Sequence, residues 1–339
     1  MPKLSNTLGI LLLALLPGTA LADSRAEDRN RFDLTRKDIQ SFVADFATTQ
    51  KRDADAVWKL LAQAEPQPRI IEAMSKPAEK ALPWWQYRAR FLTPERIEQG
   101  AQLWRAHREL LDQVAAERHV EPEYLIAILG VETSYGRITG RYRVLDALST
   151  LAFDYPARSE FFRKELAQYL LLVEDEKLDA TATLGSYAGA MGAAQFMPSS
   201  YRNFAVNEGS STQRDLWNDW GDIFASIANY FSQHGWQYGG PVLAEATLAA
   251  DRSLDAPSTV ALDRTLKDLA GAGLTVSTSL PADTQAVLIS APREDAQAWR
   301  VGFKNFYVIT RYNRSPMYAM AVYELAAAVK QRVLEDANR

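Results

Sequence analysis

The sequence predicts an α+β protein that is predominantly helical, and three observations carry that expectation. Apolar residues recur at helical intervals from about Arg25 to Arg118, and helical runs separated by Gly and Pro continue from His119 to Gly240. Beyond Gly239-Gly240-Pro241 the texture changes to short β-rich segments bounded by turn residues, before a last helical run. At 339 residues the chain has the length for a sizeable core and for roughly two domains.

The first element, residues 1–22, has the parts of a secretory signal: Lys3, then apolar Leu8 to Leu16, then Ala20-Leu21-Ala22, with cleavage expected after Ala22. Its apolar run is shorter than the roughly 20 residues a membrane span requires. Residues 23–118 form a helical subdomain in which Phe42, Phe46, Val57, Leu60 and Leu61 mark the buried stripe. Glu65-Pro66-Gln67-Pro68 and Lys76-Pro77 punctuate it as turns, and Leu82-Pro83-Trp84-Trp85-Gln86-Tyr87 reads as an extended aromatic segment. Thr93-Pro94-Glu95-Arg96 starts a helix that Leu103, Leu110, Leu111 and Val114 continue. Residues 119–240 are the helical core unit. Residues 241–305 are a small β subdomain with strands expected at Thr275 to Thr278, Ala286 to Ser290 and Trp299 to Phe303. Residues 306–339 return to the helical body, ending in a helix over Tyr318 to Val333.

Composition excludes several classes. A formal net charge of -4 offers no bulk positive field for nucleic acid or anionic lipid. With Cys 0, the chain has no disulfides, no thiolate chemistry, no zinc-cysteine site and no cysteine for a lipid anchor to the membrane. His107, His119 and His234 lack metal-binding spacing, so no metal or other cofactor is expected. No glycine loop closes on Lys-Ser or Lys-Thr, and no Gly-x-Ser-x-Gly occurs, which sets aside nucleotide binding and serine hydrolysis.

Glu132 is the candidate catalytic residue. It follows the apolar run Leu125-Ile126-Ala127-Ile128-Leu129, in a helix that opens with Pro122 at its first position and Glu123 in its first turn. Leu125, Ile128 and Leu129 share a face with it, and Gly136 is expected to stop the helix soon after. Desolvation and the negative end of the helix dipole both disfavour ionisation there, so Glu132 is expected to keep its proton to higher pH than an ordinary glutamate. A solvated glutamate drifting off the apolar stripe is the plainer alternative.

Two further stretches stand out. Leu184 to Tyr201 is rich in Gly and Ala, which suits either a groove wall approached closely by a ligand or tight helix packing. Phe303 to Ser315 mixes rings with amide and guanidinium donors, as sugar recognition requires, or else is a strand entering the core. The supply of rings is generous, with Trp 8, Tyr 14 and Phe 13.

Taken together, Val131-Glu132-Thr133-Ser134-Tyr135-Gly136, Gly189-Ala190-Met191-Gly192-Ala193-Ala194-Gln195-Phe196-Met197-Pro198-Ser199-Ser200-Tyr201, Ala228-Asn229-Tyr230-Phe231 and Ile309-Thr310-Arg311-Tyr312-Asn313 closely resemble the lytic murein transglycosylase B family. The agreement runs in order from about Pro83 to Val333. The resemblance implies a lysozyme-like core with flanking helical and small β subdomains, acting on the glycan strands of peptidoglycan in the periplasm; it names no protein partner in wall synthesis. It implies that Glu132 is the single catalytic acid. Ser186, Gln195, Tyr230, Tyr312 and Asn313 match groove positions, with Tyr87, Arg158 and Tyr318 added on looser motif agreement. Arg158 would then meet lactyl or peptide carboxylates. The family's calcium-type loop falls at Asn207 to Asn218, where this chain lacks most of the acidic ligands and keeps Asp215 as its one well-placed acid. The implied reaction is non-hydrolytic cleavage of the bond from N-acetylmuramic acid to N-acetylglucosamine, leaving a 1,6-anhydro end. A water-using muramidase would need a second carboxylate, for which Asp146 and Asp154 are the sequence candidates. A wall-binding protein without turnover is the alternative outside enzymes.

Overall fold

The structure, a computed structural model, describes residues 31–75, 82–209, 212–257 and 259–337. The expected signal segment and the Lys76-Pro77 turn lie outside the described residues. The chain begins with helices α1 (Lys37–Gln50), α2 (Ala54–Leu61) and α3 (Pro68–Ser75), then α4 (Trp84–Ala89), α5 (Pro94–Ala106), α6 (Arg108–Arg118) and α7 (Pro122–Thr133). Strand β1 (Tyr142–Arg143) leads into α8 (Val144–Asp154), a 3₁₀ turn at Pro156–Arg158, and α9 (Ser159–Asp175). Strand β2 (Leu184–Gly185) pairs antiparallel with β1, setting Tyr142 opposite Gly185, before α10 (Pro198–Phe204) and α11 (Trp220–Gln233).

The segment around Trp84 is helical, not extended as the sequence suggests. Pro83 sits at the N-cap with extended backbone, and the following turn lets Trp84 and Tyr87, three residues apart, bury on one face. The expected single helix after Thr93 is two: His107, outside helical geometry, separates α5 from α6 and packs at a tilt against Trp220.

A five-stranded antiparallel sheet follows, with order β4-β6-β7-β3-β5, built from β3 (Leu243–Leu248), β4 (Arg264–Thr265), β5 (Leu274–Val276), β6 (Gln285–Ser290) and β7 (Trp299–Gly302), with short helix α12 (Leu266–Gly271) beside it. Strand β6 reads as a continuous apolar run because both its faces are covered. Val287 and Ile289 join the main core, while Ala286 and Leu288 join a second cluster with Leu266, Leu269, Trp299 and Val301. Helices α13 (Lys304–Tyr312) and α14 (Pro316–Ala337) complete the chain. The Phe303 to Ser315 stretch is thus helical over Lys304–Tyr312 and is not a strand.

Helix α7 lies at the centre: Leu125, Ile126, Ala127, Ile128 and Leu129 are all fully buried, with α14 and α5 packed against it. Helices α8 and α9 pair with each other, and α11 packs on α6. Among the described residues no helix is long and apolar enough to cross a membrane.

Candidate active site

Glu132 is half-buried in the last turn of α7. The helix ends two residues earlier than its glycine suggests, because Ser134 and Tyr135 already take left-handed backbone, with φ 50° and 65°, before Gly136 at 78°. Two non-glycine residues in this region cost about 1–2 kcal/mol each, so the surroundings must hold them. They do. The Tyr135 amide donates to Leu129 O at 2.9 Å and its buried hydroxyl donates to Arg96 O at 2.8 Å, while the Gly136 amide donates to Thr133 Oγ1 at 2.8 Å. Arg96 in turn donates to Gly130 O, so α5 grips the end of α7 from both sides of the reversal.

The glycine-rich stretch docks on this turn. Thr133 Oγ1 donates to Ala193 O at 2.9 Å, and Gln195 Nε2 donates to Thr139 O at 3.0 Å and Gly192 O at 2.9 Å. Gly140 explains the close fit of the two loops: a Cβ there would lie 2.0 Å from the Gly185 carbonyl, and its φ is 109°. Between them opens a groove of about 630 Å³ lined by Glu132, Arg137, Ile138, Thr139, Gly140, Arg141, Tyr142, Ser186, Tyr187 and Gln195. It is larger than the two clefts of about 500 and 410 Å³ that flank Trp299 on the sheet. The carboxyl therefore faces a groove shared with Gln195, and the stretch from Leu184 to Tyr201 serves as its wall as well as packing material.

Tyrosines close the other side. Tyr318 donates its hydroxyl to Glu132 Oε1 at 2.6 Å. Burial, and after it the Glu132 charge, push the Tyr318 phenol well above its ordinary range, which keeps it a donor. Tyr312 is raised for the same two causes and donates to Ala194 O at 2.6 Å. Tyr87 is buried against Trp84 and Phe91, near enough to Tyr318 to disfavour its ionisation further. Tyr230, pushed by burial to about 12, donates to Arg311 O at 2.7 Å and packs edge-on to Tyr312, so it supports the cluster with its hydroxyl already engaged.

Ser186 lines the groove, its Oγ accepting the Ala188 and Ala190 amides at 3.3 and 3.1 Å, which leaves the hydroxyl proton for a ligand. Asn313 is exposed just after α13, its Oδ1 accepting the Ser315 amide at 3.2 Å. Arg158 is not among the groove residues. It follows the far end of α8, roughly 16 Å of helix beyond Val144, and lies over the Phe161 and Phe162 rings. The loop of residues 137–142 contributes most of the groove and was not singled out in the sequence. Its one legible sign was an apolar residue, Ile138, now 69% exposed, directly after the acid's helix.

Both sequence candidates for a second carboxylate are engaged elsewhere. Asp146 accepts from Arg143 at 2.7 and 2.9 Å and from the Glu65 amide at 2.9 Å, and Asp154 accepts from Arg36 at 2.6 Å. Among the described residues Glu132 is the one acid lining this groove.

In the loop from Asn207 to Asn218, where the resemblance implies a calcium site, the Asp215 carboxylate accepts backbone and side-chain amides. Asp215 Oδ1 accepts the Trp217 and Asn218 amides, and its Oδ2 accepts the Asn218 side chain. The two Asp222 oxygens accept the amides of Glu208 and Asp215. Among the described residues no three His, Asp or Glu side chains gather to hold a metal.

Comparison with known proteins gives a consistent set of relatives. The family described as Transglycosylase SLT domain matches residues 35–327. The chain is 37% identical over 300 residues to the membrane-bound lytic murein transglycosylase B of Escherichia coli (strain K12), covering 88% of this chain and 80% of that one. The catenated lytic transglycosylase SltB1 from Pseudomonas aeruginosa superposes with a TM-score of 0.83 at 38% identity, over 88% of this chain and 98% of that one. SltB3 from the same organism, solved with NAG-anhNAM-pentapeptide, gives a TM-score of 0.74 at 31% identity, over 86% and 79%.

Proposed function

The chain belongs to the transglycosylase SLT-domain family of lytic murein transglycosylases, and from that premise we propose that it cleaves peptidoglycan glycan through Glu132 alone, acting first as acid and then as base. The observation that carries this reading is that Glu132 is, among the described residues, the one carboxyl lining the groove, where a water-using muramidase would place a second at roughly 5 Å or 6.5–9.5 Å.

Protonated Glu132 donates to the oxygen joining N-acetylmuramic acid to N-acetylglucosamine, and the C1–O bond breaks to leave an oxocarbenium-like centre that the substrate's acetamido group stabilises. The Glu132 carboxylate then takes the proton of the muramoyl C6 hydroxyl as that oxygen bonds C1. The ring closes as a 1,6-anhydro end, the acid is regenerated, and no water enters the balance. Half-burial and the negative end of α7 favour the proton on Glu132, while the Tyr318 hydroxyl favours the carboxylate. Ser186 and Gln195 offer polar contacts to the sugar, and exposed Tyr187 and Ile138 offer flat apolar surface to its C–H faces. Gln195, Tyr312 and Tyr230 hold this geometry, buried Tyr87 backs Tyr318 from behind, Asn313 is assigned to substrate on the family pattern, and Arg158, outside the groove, is left without a role at Glu132. The leader over residues 1–22 directs the protein to the periplasm, where this polymer lies.

Mass spectra of digested sacculi test the reading. Fragments one water lighter than muramidase products, without a reducing muramic acid, are expected; reducible ends overturn it. Glu132→Gln should lower the rate of wall clearing by 10²-fold or more while leaving the fold intact.

A further inference from the structure

A second cavity, of about 320 Å³, adjoins the Glu132 groove at Arg141 and Tyr142 and is completed by Gln67, Arg69, Arg143 and Asp146. This wall is built rather than incidental. The Glu65 amide donates to Asp146 Oδ1 and the Gln67 amide to Thr150 Oγ1, both at 2.9 Å, which pins the turn carrying Gln67 and Arg69 onto α8.

The charges in this cavity are uneven. Arg143 is committed, donating to both Asp146 oxygens and lying 3.3 Å from Glu65. Arg69 and Arg141 form no ion pair among the described residues and are exposed; the Arg141 guanidinium sits 5.9 Å from the Tyr142 ring centroid. Arg69 belongs to the first turn of α3, whose end carries partial positive charge. Two guanidinium groups thus share one concavity beside the groove, with the planar donor geometry that matches carboxylates.

We propose that this cavity is a subsite for the acidic peptide stem of the wall polymer, with Arg69 and Arg141 holding its carboxylates while the sugar chain lies past Ile138 and Tyr187. The assignment rests on the lytic reading above. A glycan strand in the groove carries a stem on the lactyl group of each muramic acid, so an anion follows the sugars wherever they bind. Neutral N-acetylglucosamine rings have no use for paired cations; the stem does.

The test compares kcat/KM on glycan strands that keep their stems with the same strands after amidase removal of the peptides, for the full-length parent, Arg69→Gln, Arg69→Lys and the Arg69→Gln/Arg141→Gln double variant. The ratio of the two values should fall about tenfold in Arg69→Gln and further in the double variant, with Arg69→Lys retaining part of it. The parent's ratio should also fall as salt is raised. A ratio that stays at the parent value in the double variant, including one where both substrates slow equally, overturns the subsite while the lytic reading stands. A parent that cleaves neither strand overturns the lytic reading and the subsite with it.

Discussion

A carboxyl that must release a proton and then accept one works best when its neighbours pull in opposite directions. At Glu132, desolvation in the last turn of α7 pulls towards the acid, and the 2.6 Å bond from Tyr318 pulls towards the carboxylate. Tyr318 can do this over a wide pH range because burial and the nearby charge hold its own proton in place. Replacing it by Phe removes the donor and keeps the ring. The acid form of Glu132 then persists to higher pH, so the alkaline limb of the kcat profile should move up by about one to two units, since a hydrogen bond to a charged group contributes roughly 1.5–3 kcal/mol. Turnover should fall about tenfold because proton donation then leaves a carboxylate that no phenol stabilises. An alkaline limb that stays put in Tyr318→Phe, or moves down, would show that the phenol does not tune this acid.

At the scale of the element, the reversal after α7 sets where Glu132 points, and glycines on two helices make the reversal possible. A Cβ at Gly100 would lie 2.5 Å from the Tyr135 hydroxyl, and one at Gly130 would lie 2.7 Å from it and 2.8 Å from Leu325. The phenol therefore occupies a slot that exists because α5 and α7 carry no side chain there. Gly130→Ala should destabilise the protein by about 1–3 kcal/mol through overpacking and lower kcat by displacing the turn, as denaturant unfolding and kinetics would report. Tyr135→Phe should cost about 1 kcal/mol, the bond to Arg96 O alone. If Gly130→Ala proves as stable and active as the parent, the slot is not what fixes the turn. The helix and its acid were legible because an apolar run with Pro122 and Glu123 at its start specifies itself locally. Its end was not, because left-handed Ser134 and Tyr135 are imposed by Arg96 and Ala193 from distant segments. The groove loop was hidden for the same reason: its shape comes from Gly140 resting on Gly185. Trp84 to Tyr87 misled in the other direction, since a proline before paired rings fits an extended strand as well as a helix start.

Across the whole molecule the sequence announced the β segment by its texture, yet the order β4-β6-β7-β3-β5 depends on pairings no local pattern encodes. The attachment of the first helices to the core is equally non-local, and it runs through Arg36. This guanidinium donates to Asp38 at 2.9 and 3.1 Å, to Asp154 at 2.6 Å and to Phe153 O at 2.6 Å, tying the start of α1 to the end of α8. Burial raises the Asp38 carboxyl, but the hydrogen bonds and charge of Arg36, with help from the Ile39 amide and Arg163, outweigh it and hold Asp38 below the ordinary 3.8. A carboxyl depressed in the folded state adds stability that is complete above its unfolded value and lost as pH falls through the folded one. The parent should therefore lose this contribution on acidification below about 3.8, the ordinary value. Arg36→Ala, which never has it, should be less stable than the parent by about 1 kcal/mol at neutral pH, the pair being about a third exposed. That gap should narrow as acid protonates Asp38. Urea midpoints for both proteins at neutral pH and near pH 3 measure it, and a gap that widens in acid would mean that Arg36 stabilises the joint by packing on α8 and not by charge.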